Sequence, residues 1–262
     1  MEPAPFLFEP GDSALLISVP HAGTHIPESL HARMTPTALA VPDTDWHVPR
    51  LYSWRRELRA TLLVATLSRY VVDLNRPPDG APLYPGQAET GVCPTRSFGD
   101  EALYQPGQSP DAGEIRQRVE QYWQPYHRRL AEAIDTIRTE HGHCILWDAH
   151  SIRSRVPLFF EGRLPDLNVG TADGRSCSRR RASRVCPGAR LARKVQRGAQ
   201  RPIQGRPITR HYGDPARGVD AIQLEIAQEA YIDEQAPERY DPSRAAALSG
   251  LLRQLLGAVI KM

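Results

Sequence analysis

Hydrophobic and polar positions along this chain follow two periods in turn, and the switches between them mark out its elements. Residues 14–19, Ala-Leu-Leu-Ile-Ser-Val, are an apolar run stopped by Pro20, which predicts a buried strand. Leu51, Tyr52, Trp54 and Leu58 recur at roughly helical spacing and predict a helix over 48–60. Residues 62–65 and 70–74 then read as two strands separated by a tight link at Ser68 and Arg69. Residues 77–110 are rich in Pro, Gly and polar side chains, a loop of the length that forms a lid or a wall over a site. The stripe Ile115, Val119, Tyr122, Tyr126, Leu130, Ile134 and Ile137 predicts a long amphipathic helix over 111–140, kinked at Pro125. Residues 144–150 form a second apolar run that ends on polar groups. Ile222, Leu224 and Ile226 share one face of a strand over 221–226, with Glu225 on the other face, where a glutamate is ordinarily solvated. Leu248, Leu251, Leu252, Leu255 and Val259 point inward from a closing helix over 245–260. Strands alternating with helices, with no repeat and no interdomain linker, predict one α/β domain on a mixed, mainly parallel sheet flanked by helices.

Composition narrows the class. A chain of 262 residues fits one large domain, and its near-average charged fraction excludes a collagenous or disordered chain. No stretch approaches the roughly 18 uninterrupted apolar residues that a bilayer span needs. The first residues lack the basic-then-apolar pattern of a secretory signal, so the cytoplasm is the expected location. Cys93, Cys144, Cys177 and Cys186 form no C-x-x-C pair, which argues against a zinc knuckle or a dithiol redox motif. The net charge of +3 hides an uneven distribution: ten Arg and one Lys, with no acid, lie between Arg175 and Arg206. The rest of the chain is therefore acidic.

Polar groups stand at the carboxyl ends of the predicted strands, where open α/β sheets place their ligands. His21 follows Val19-Pro20 on a turn of small residues, and Asp43, Asp45 and His47 lie within five positions just ahead of a helix. Asn75 and Arg76 end the run 70–74, and Asp148 and His150 end the run 144–150. Each has an ordinary reading: a turn histidine, a helix cap, a surface ion pair. Taken together, imidazoles, carboxylates and guanidiniums are the inventory of a catalytic zinc site acting on an anion. Three protein ligands leave a position for water, whose pKa falls toward about 7, and a further carboxylate moves its proton. Asp148 also suits the role of a carboxylate that orients a ligating histidine. Zinc, cobalt and manganese all accept such ligands. No G-x-S-x-G elbow, P-loop or dinucleotide fingerprint is present, although Cys144 stays open as a nucleophile.

The chain resembles the N-formylglutamate amidohydrolase family of histidine degradation. The resemblance rests on Ser18-Val19-Pro20-His21-Ala22-Gly23, Thr44-Asp45-Trp46-His47, Ser68-Arg69 through Asp73-Leu74-Asn75-Arg76, Trp147-Asp148-Ala149-His150-Ser151, residues 164–171 and Ile208-Thr209-Arg210-His211-Tyr212-Gly213-Asp214-Pro215. These motifs run in order along nearly the whole chain. The resemblance implies a fold akin to zinc carboxypeptidases and aspartoacylase, one divalent metal ion, and hydrolysis of a small dianionic substrate. It implies His21 and His150 as metal ligands, with Asp45 or His47 between them, and Glu225 as general base. It further implies Asn75 and Arg76 as a grip on a substrate carboxylate, Arg210 as a second cationic contact, and Tyr212 or His211 near the leaving group. The carboxypeptidases use a Glu three residues after the first His, a place that Thr24 holds here.

The segment 175–206 departs from that pattern. Its apolar Val185, Leu191 and Val195 are too few to mark a helical face, and its eleven like charges repel one another. Three readings stand for it: a basic tract that binds nucleic acid or acidic lipid, a solvated and disordered insertion, and a stretch translated out of frame. Nucleic acid is the least expected, since the tract holds no aromatic side chain for stacking. The out-of-frame reading is favoured, because family-like sequence stops and restarts around it. The rivals for the whole chain are a deacylase of another N-acyl acidic amino acid and a catalytically impaired homologue with a basic binding segment.

Overall fold

Four parallel strands carry the molecule. The computed structural model describes residues 3–81, 90–188 and 207–261. Its strands are β1 (Phe6–Glu9), β2 (Leu15–Val19), β3 (Thr61–Ala65), β4 (Cys144–Ile152), β5 (Leu167–Gly170) and β6 (Val219–Ala227), in the sheet order β1-β3-β2-β4-β6-β5. The pairs β2/β3, β2/β4 and β4/β6 are parallel, while the edge strands β1 and β5 run antiparallel to their neighbours. The sheet is thus the mixed, mainly parallel one that the alternating pattern predicts, in a single α/β domain.

The helices are α1 (Glu28–His31), α2 (Pro36–Leu39), α3 (Val48–Leu51), α4 (Ala112–Arg118), α5 (Gln124–His141), α6 (Arg179–Gly188), α7 (Pro207–Tyr212) and α8 (Pro242–Ile260). The sheet is covered on both faces. Trp147 on β4 donates through Nε1 to Tyr52 Oη beside α3, at 2.9 Å. On the other face, Ser18 Oγ lies 3.0 Å from the Tyr126 hydroxyl of α5 and donates to Asp148 Oδ1 at 3.4 Å. Every residue of β2, β4 and β6 is buried as a result. The alternation in β6 therefore separates apolar packing from a polar interior, and Glu225 is only 2% exposed where a solvated face is expected.

Three elements differ from expectation. Residues 70–74 are buried but form no strand: Val71 N donates to Ser68 O in a turn and Asp73 N to Val92 O of the long loop, in place of a strand ladder. The helix expected over 48–60 breaks into α3 and a 3-10 turn at Ser53–Leu58, bounded by His47 and Arg59 at φ +58° and +51°. The long helix begins at its cap Asp111, whose side chain accepts from Glu114 N, and ends at Gly142 in the left-handed region. Between α4 and α5 lies one π turn, Val119–Trp123, just ahead of Pro125, which has no N–H for a regular i→i−4 bond. Pro242 starts α8 three residues early, after the cap Asp241, and Leu256 is fully buried where Leu251 and Leu255 are partly so. Within the basic segment, α6 buries Val185 and pairs Arg181 Nε with Asp220 Oδ2 at 2.8 Å, so this part has a packed face. Residues 189–206 of that segment, and 82–89 of the long loop, lie outside the described residues. No helix among the described residues is long and apolar enough to cross a membrane.

Candidate active site

The carboxyl ends of β2 and β4 bring their polar residues to one buried point. His21 stands two residues beyond β2 and His150 near the end of β4, and their rings lie 4.9 Å apart between centroids. The third member comes from the turn before α3, where Asp45 N donates to His21 O at 3.0 Å. That turn is held by the residues that follow β6: Gln228 Nε2 donates to Thr44 O at 2.8 Å and the Tyr231 hydroxyl to Trp46 O at 2.6 Å. Asp45 Oδ2 lies 3.0 Å from His150 Nδ1 and 3.8 Å from His21 Nδ1. One ligand atom from each of His21, Asp45 and His150 falls within 4.8 Å of the others, and all three residues are buried.

The opposite ring nitrogens are held by two further carboxylates. His21 Nε2 meets Asp73 Oδ1 at 2.7 Å, and His150 Nε2 meets Asp148 Oδ2 at 3.0 Å. Each imidazole therefore turns Nδ1 toward Asp45 while a carboxylate fixes its other edge, the arrangement that orients histidine ligands of a metal. Arg69 completes the outer layer with Nη2 2.6 Å from Asp73 Oδ2.

The charges are uneven across the cluster. Burial, and then the nearby Arg69, push His21 down to about 4. Burial also works against charge on His150, but the carboxylates of Asp148 and Asp45 outweigh it and push the imidazole up to about 10. Burial opposes ionisation of Asp73 as well, yet Arg69 and His21 hold it well below the usual carboxylate range. Asp45 Oδ1 is buried without a hydrogen bond, 3.9 Å from Arg69 Nη1. Two imidazole nitrogens and a carboxylate with an unbonded oxygen fit a divalent cation of the zinc, cobalt or manganese type.

Of the other residues singled out in the sequence, Glu225 is in register with His150 on the adjacent parallel strand, so both side chains leave the sheet on the same face. Arg76 is buried beside the cluster's loop, with Nε donating to Thr90 O at 2.9 Å and Nη2 to Thr90 Oγ1 at 3.2 Å. Asn75 is engaged at both ends of its amide. Its Nδ2 donates to Asp148 Oδ2 at 3.2 Å and lies 2.9 Å from His150 Nε2, while Oδ1 accepts from Ile208 N at 3.0 Å.

His47 is not brought to the cluster. Its left-handed backbone turns the ring outward, where Nε2 lies 3.0 Å from Pro237 O and the ring packs on Tyr240. Among the two candidates for the intermediate position, the geometry therefore brings in Asp45. Arg210 lines a separate cavity of about 260 Å³ with Ala172, Arg175, Ser176 and Gly213, and none of the cluster residues is in its lining. The Tyr212 hydroxyl is engaged with His127, 2.9 Å from Nδ1 and 3.1 Å from the backbone oxygen. His211 packs edge-on against the Tyr212 ring. The sequence does not single out Gln228, Tyr231 or His127, and it gives Arg69 and Asp73 no place behind His21. Only those last two carry a local signal, since both lie in the motif that runs from Ser68-Arg69 to Asn75-Arg76.

Fold and cluster together define an α/β protein with a candidate metal centre built at the carboxyl ends of its parallel strands. Residues 13–232 match the N-formylglutamate amidohydrolase family. The chain is 46% identical over 256 residues to an N-formylglutamate deformylase of Pseudomonas aeruginosa, spanning 97% of this chain and 95% of that one. It is 43% identical to the N-formylglutamate deformylase of Pseudomonas putida, across 97% and 94% of the two chains. The crystal structure of an N-formylglutamate amidohydrolase from Ralstonia eutropha superposes with a TM-score of 0.77 at 26% identity, covering 98% of this chain and 96% of that one. A gene product of Agrobacterium tumefaciens shares the fold at a TM-score of 0.65 and 22% identity, over 97% and 95% of the chains. This chain belongs to the N-formylglutamate amidohydrolase family.

Proposed function

We propose that the chain hydrolyses N-formyl-L-glutamate to formate and L-glutamate, as a metal-dependent cytoplasmic enzyme of histidine degradation. The observation that carries this reading is the convergence of His21, Asp45 and His150, each imidazole backed by its own carboxylate. These three residues would hold one divalent ion, with zinc the best match to two nitrogens and an oxygen. When bound, such an ion polarises the formyl carbonyl and lowers the pKa of adjacent water.

The chain's own groups supply the remaining steps. Glu225 takes a proton from the water that attacks the formyl carbon, and a tetrahedral intermediate forms on the substrate. The same carboxyl then delivers the proton to the amide nitrogen as the carbon–nitrogen bond breaks, releasing formate and the free amine. Its burial on the His150 side of β6 shields that proton from bulk water. Arg76 offers a planar guanidinium that forks onto one substrate carboxylate. Asn75 acts on the protein side, tying Asp148 to α7. Asp73, Asp148 and Arg69 hold the imidazoles in place.

The test is Glu225→Gln. Bound metal is expected to stay at wild-type level while kcat falls by about 10²–10⁴-fold. Loss of the metal would move Glu225 among the ligands, and full activity would remove it from the reaction. Turnover of N-acetyl-L-aspartate in preference to N-formyl-L-glutamate would overturn the substrate assignment.

A further inference from the structure

The turn Leu74-Asn75-Arg76 belongs to no strand or helix, yet each of its residues is held by a separate donor from a helical element. Trp123 Nε1 donates to Arg76 O at 3.1 Å. His127 Nε2 lies 2.8 Å from Leu74 O. A carbonyl oxygen only accepts, so Nε2 carries the hydrogen. Asn75 Oδ1 accepts from Ile208 N of α7 at 3.0 Å.

Trp123 and His127 are four residues apart and so share a helix face. Trp123 ends the π turn, and its ring stacks on His127 at 3.6 Å and 17°. The Tyr212 ring lies nearly parallel to His127 on α7, at 5.9 Å and 13°. The polar edges of both Trp123 and His127 are spent on backbone oxygens of this one turn. Simple core packing would be served as well by two rings without donors.

We propose that Trp123 and His127 are positioning residues that set Arg76 for its substrate carboxylate by clamping the carbonyls of Arg76 and Leu74. The inference rests on the role given to Arg76 above. A guanidinium at the end of a long side chain amplifies small backbone shifts, and displacements of about 1 Å at a binding group are worth up to 10²-fold in rate. Losing one neutral hydrogen bond of about 1 kcal/mol corresponds to roughly fivefold in binding.

Trp123→Phe keeps the stacked ring and deletes the N–H. Its KM for N-formyl-L-glutamate is expected to rise about fivefold with kcat within twofold of wild type. In an Arg76→Met background the same change should leave KM within about 1.5-fold, because the clamp then has no cation to aim. A second pair of variants guards against misfolding: His127→Gln, which retains a donor for Leu74 O, should keep the wild-type KM, and His127→Phe should raise it. An equal KM increase from Trp123→Phe in both backgrounds would overturn the clamp. So would a fall in kcat or melting temperature with KM unmoved. A wild-type chain that does not turn over N-formyl-L-glutamate overturns the proposed function and this inference with it. Wild-type turnover with KM unchanged in Trp123→Phe and His127→Phe removes the clamp alone.

Discussion

Replacing Asp148 by Asn isolates the contribution of one carboxylate to the cluster. The substitution is close to isosteric, and the site is fully buried, so shape and packing are preserved. What changes is the partner of His150 Nε2, now 3.0 Å from a charged oxygen. A charge-assisted hydrogen bond contributes about 1.5–3 kcal/mol and a neutral one about 0.5–1.5, so the difference is about 1–2 kcal/mol. When a cation displaces the proton from Nδ1, the carboxylate would keep the remaining hydrogen on Nε2, so that Nδ1 offers its lone pair on the Asp45 side. An amide turned with its NH₂ toward the ring would favour the opposite tautomer and put the hydrogen on Nδ1. Together these effects predict a 10–100-fold weaker affinity for zinc, in the range found when carboxylates behind metal-binding histidines are removed. The assay is competition with a chelator of known affinity at pH 7.5, with circular dichroism to establish that the variant is folded. A folded Asp148→Asn protein that binds zinc within twofold of wild type would refute the assignment of Asp148 as the group that orients His150.

Other consequences follow from the same geometry. Gly23→Ala is expected to unfold the loop beside His21, since a Cβ there would lie 2.2 Å from Leu67 O, a backbone atom that cannot move aside. A melting temperature equal to wild type would contradict that packing. Burial, outweighing the bond to Leu74 O, pushes His127 down to about 4 from an ordinary 6.5. The unfolded chain therefore takes up this proton first as pH falls. The stability is complete above pH 6.5 and is lost between 6.5 and about 4, by up to roughly 3 kcal/mol. Urea unfolding across that range should show a shallower pH dependence in His127→Gln than in wild type, and identical slopes would contradict a buried neutral imidazole.

Much of the sheet was legible because β2, β4 and β6 carry long apolar runs with a period of two or none. The run 70–74 has the same composition, and periodicity alone does not distinguish a strand from a buried turn whose donors find other carbonyls. His47 and Asp45 could not be separated by spacing. The choice depends on a left-handed residue at 47, for which histidine gives little local signal. Alternation alone gives Glu225 a solvated face, because it marks polar positions without saying whether water or a second layer of protein covers them; only the family resemblance singles this residue out. The groups behind the cluster were the least legible. Asp73, Gln228 and Tyr231 meet the site from positions 52 to 185 residues away from their partners, and Trp123 and His127 read simply as members of a helix. The basic segment shows the converse: its first turns form α6 because one valine and one paired arginine suffice to dock a short helix against α8.

The central claim is that residues remote in sequence cage one cation. Diffraction data collected on both sides of the zinc absorption edge, from crystals of the zinc-loaded protein, test it most directly. A single anomalous peak per chain is expected within about 2.0–2.2 Å of His21 Nδ1, His150 Nδ1 and an oxygen of Asp45. A peak held by other residues, or none at that point in protein that retains stoichiometric zinc, would contradict it.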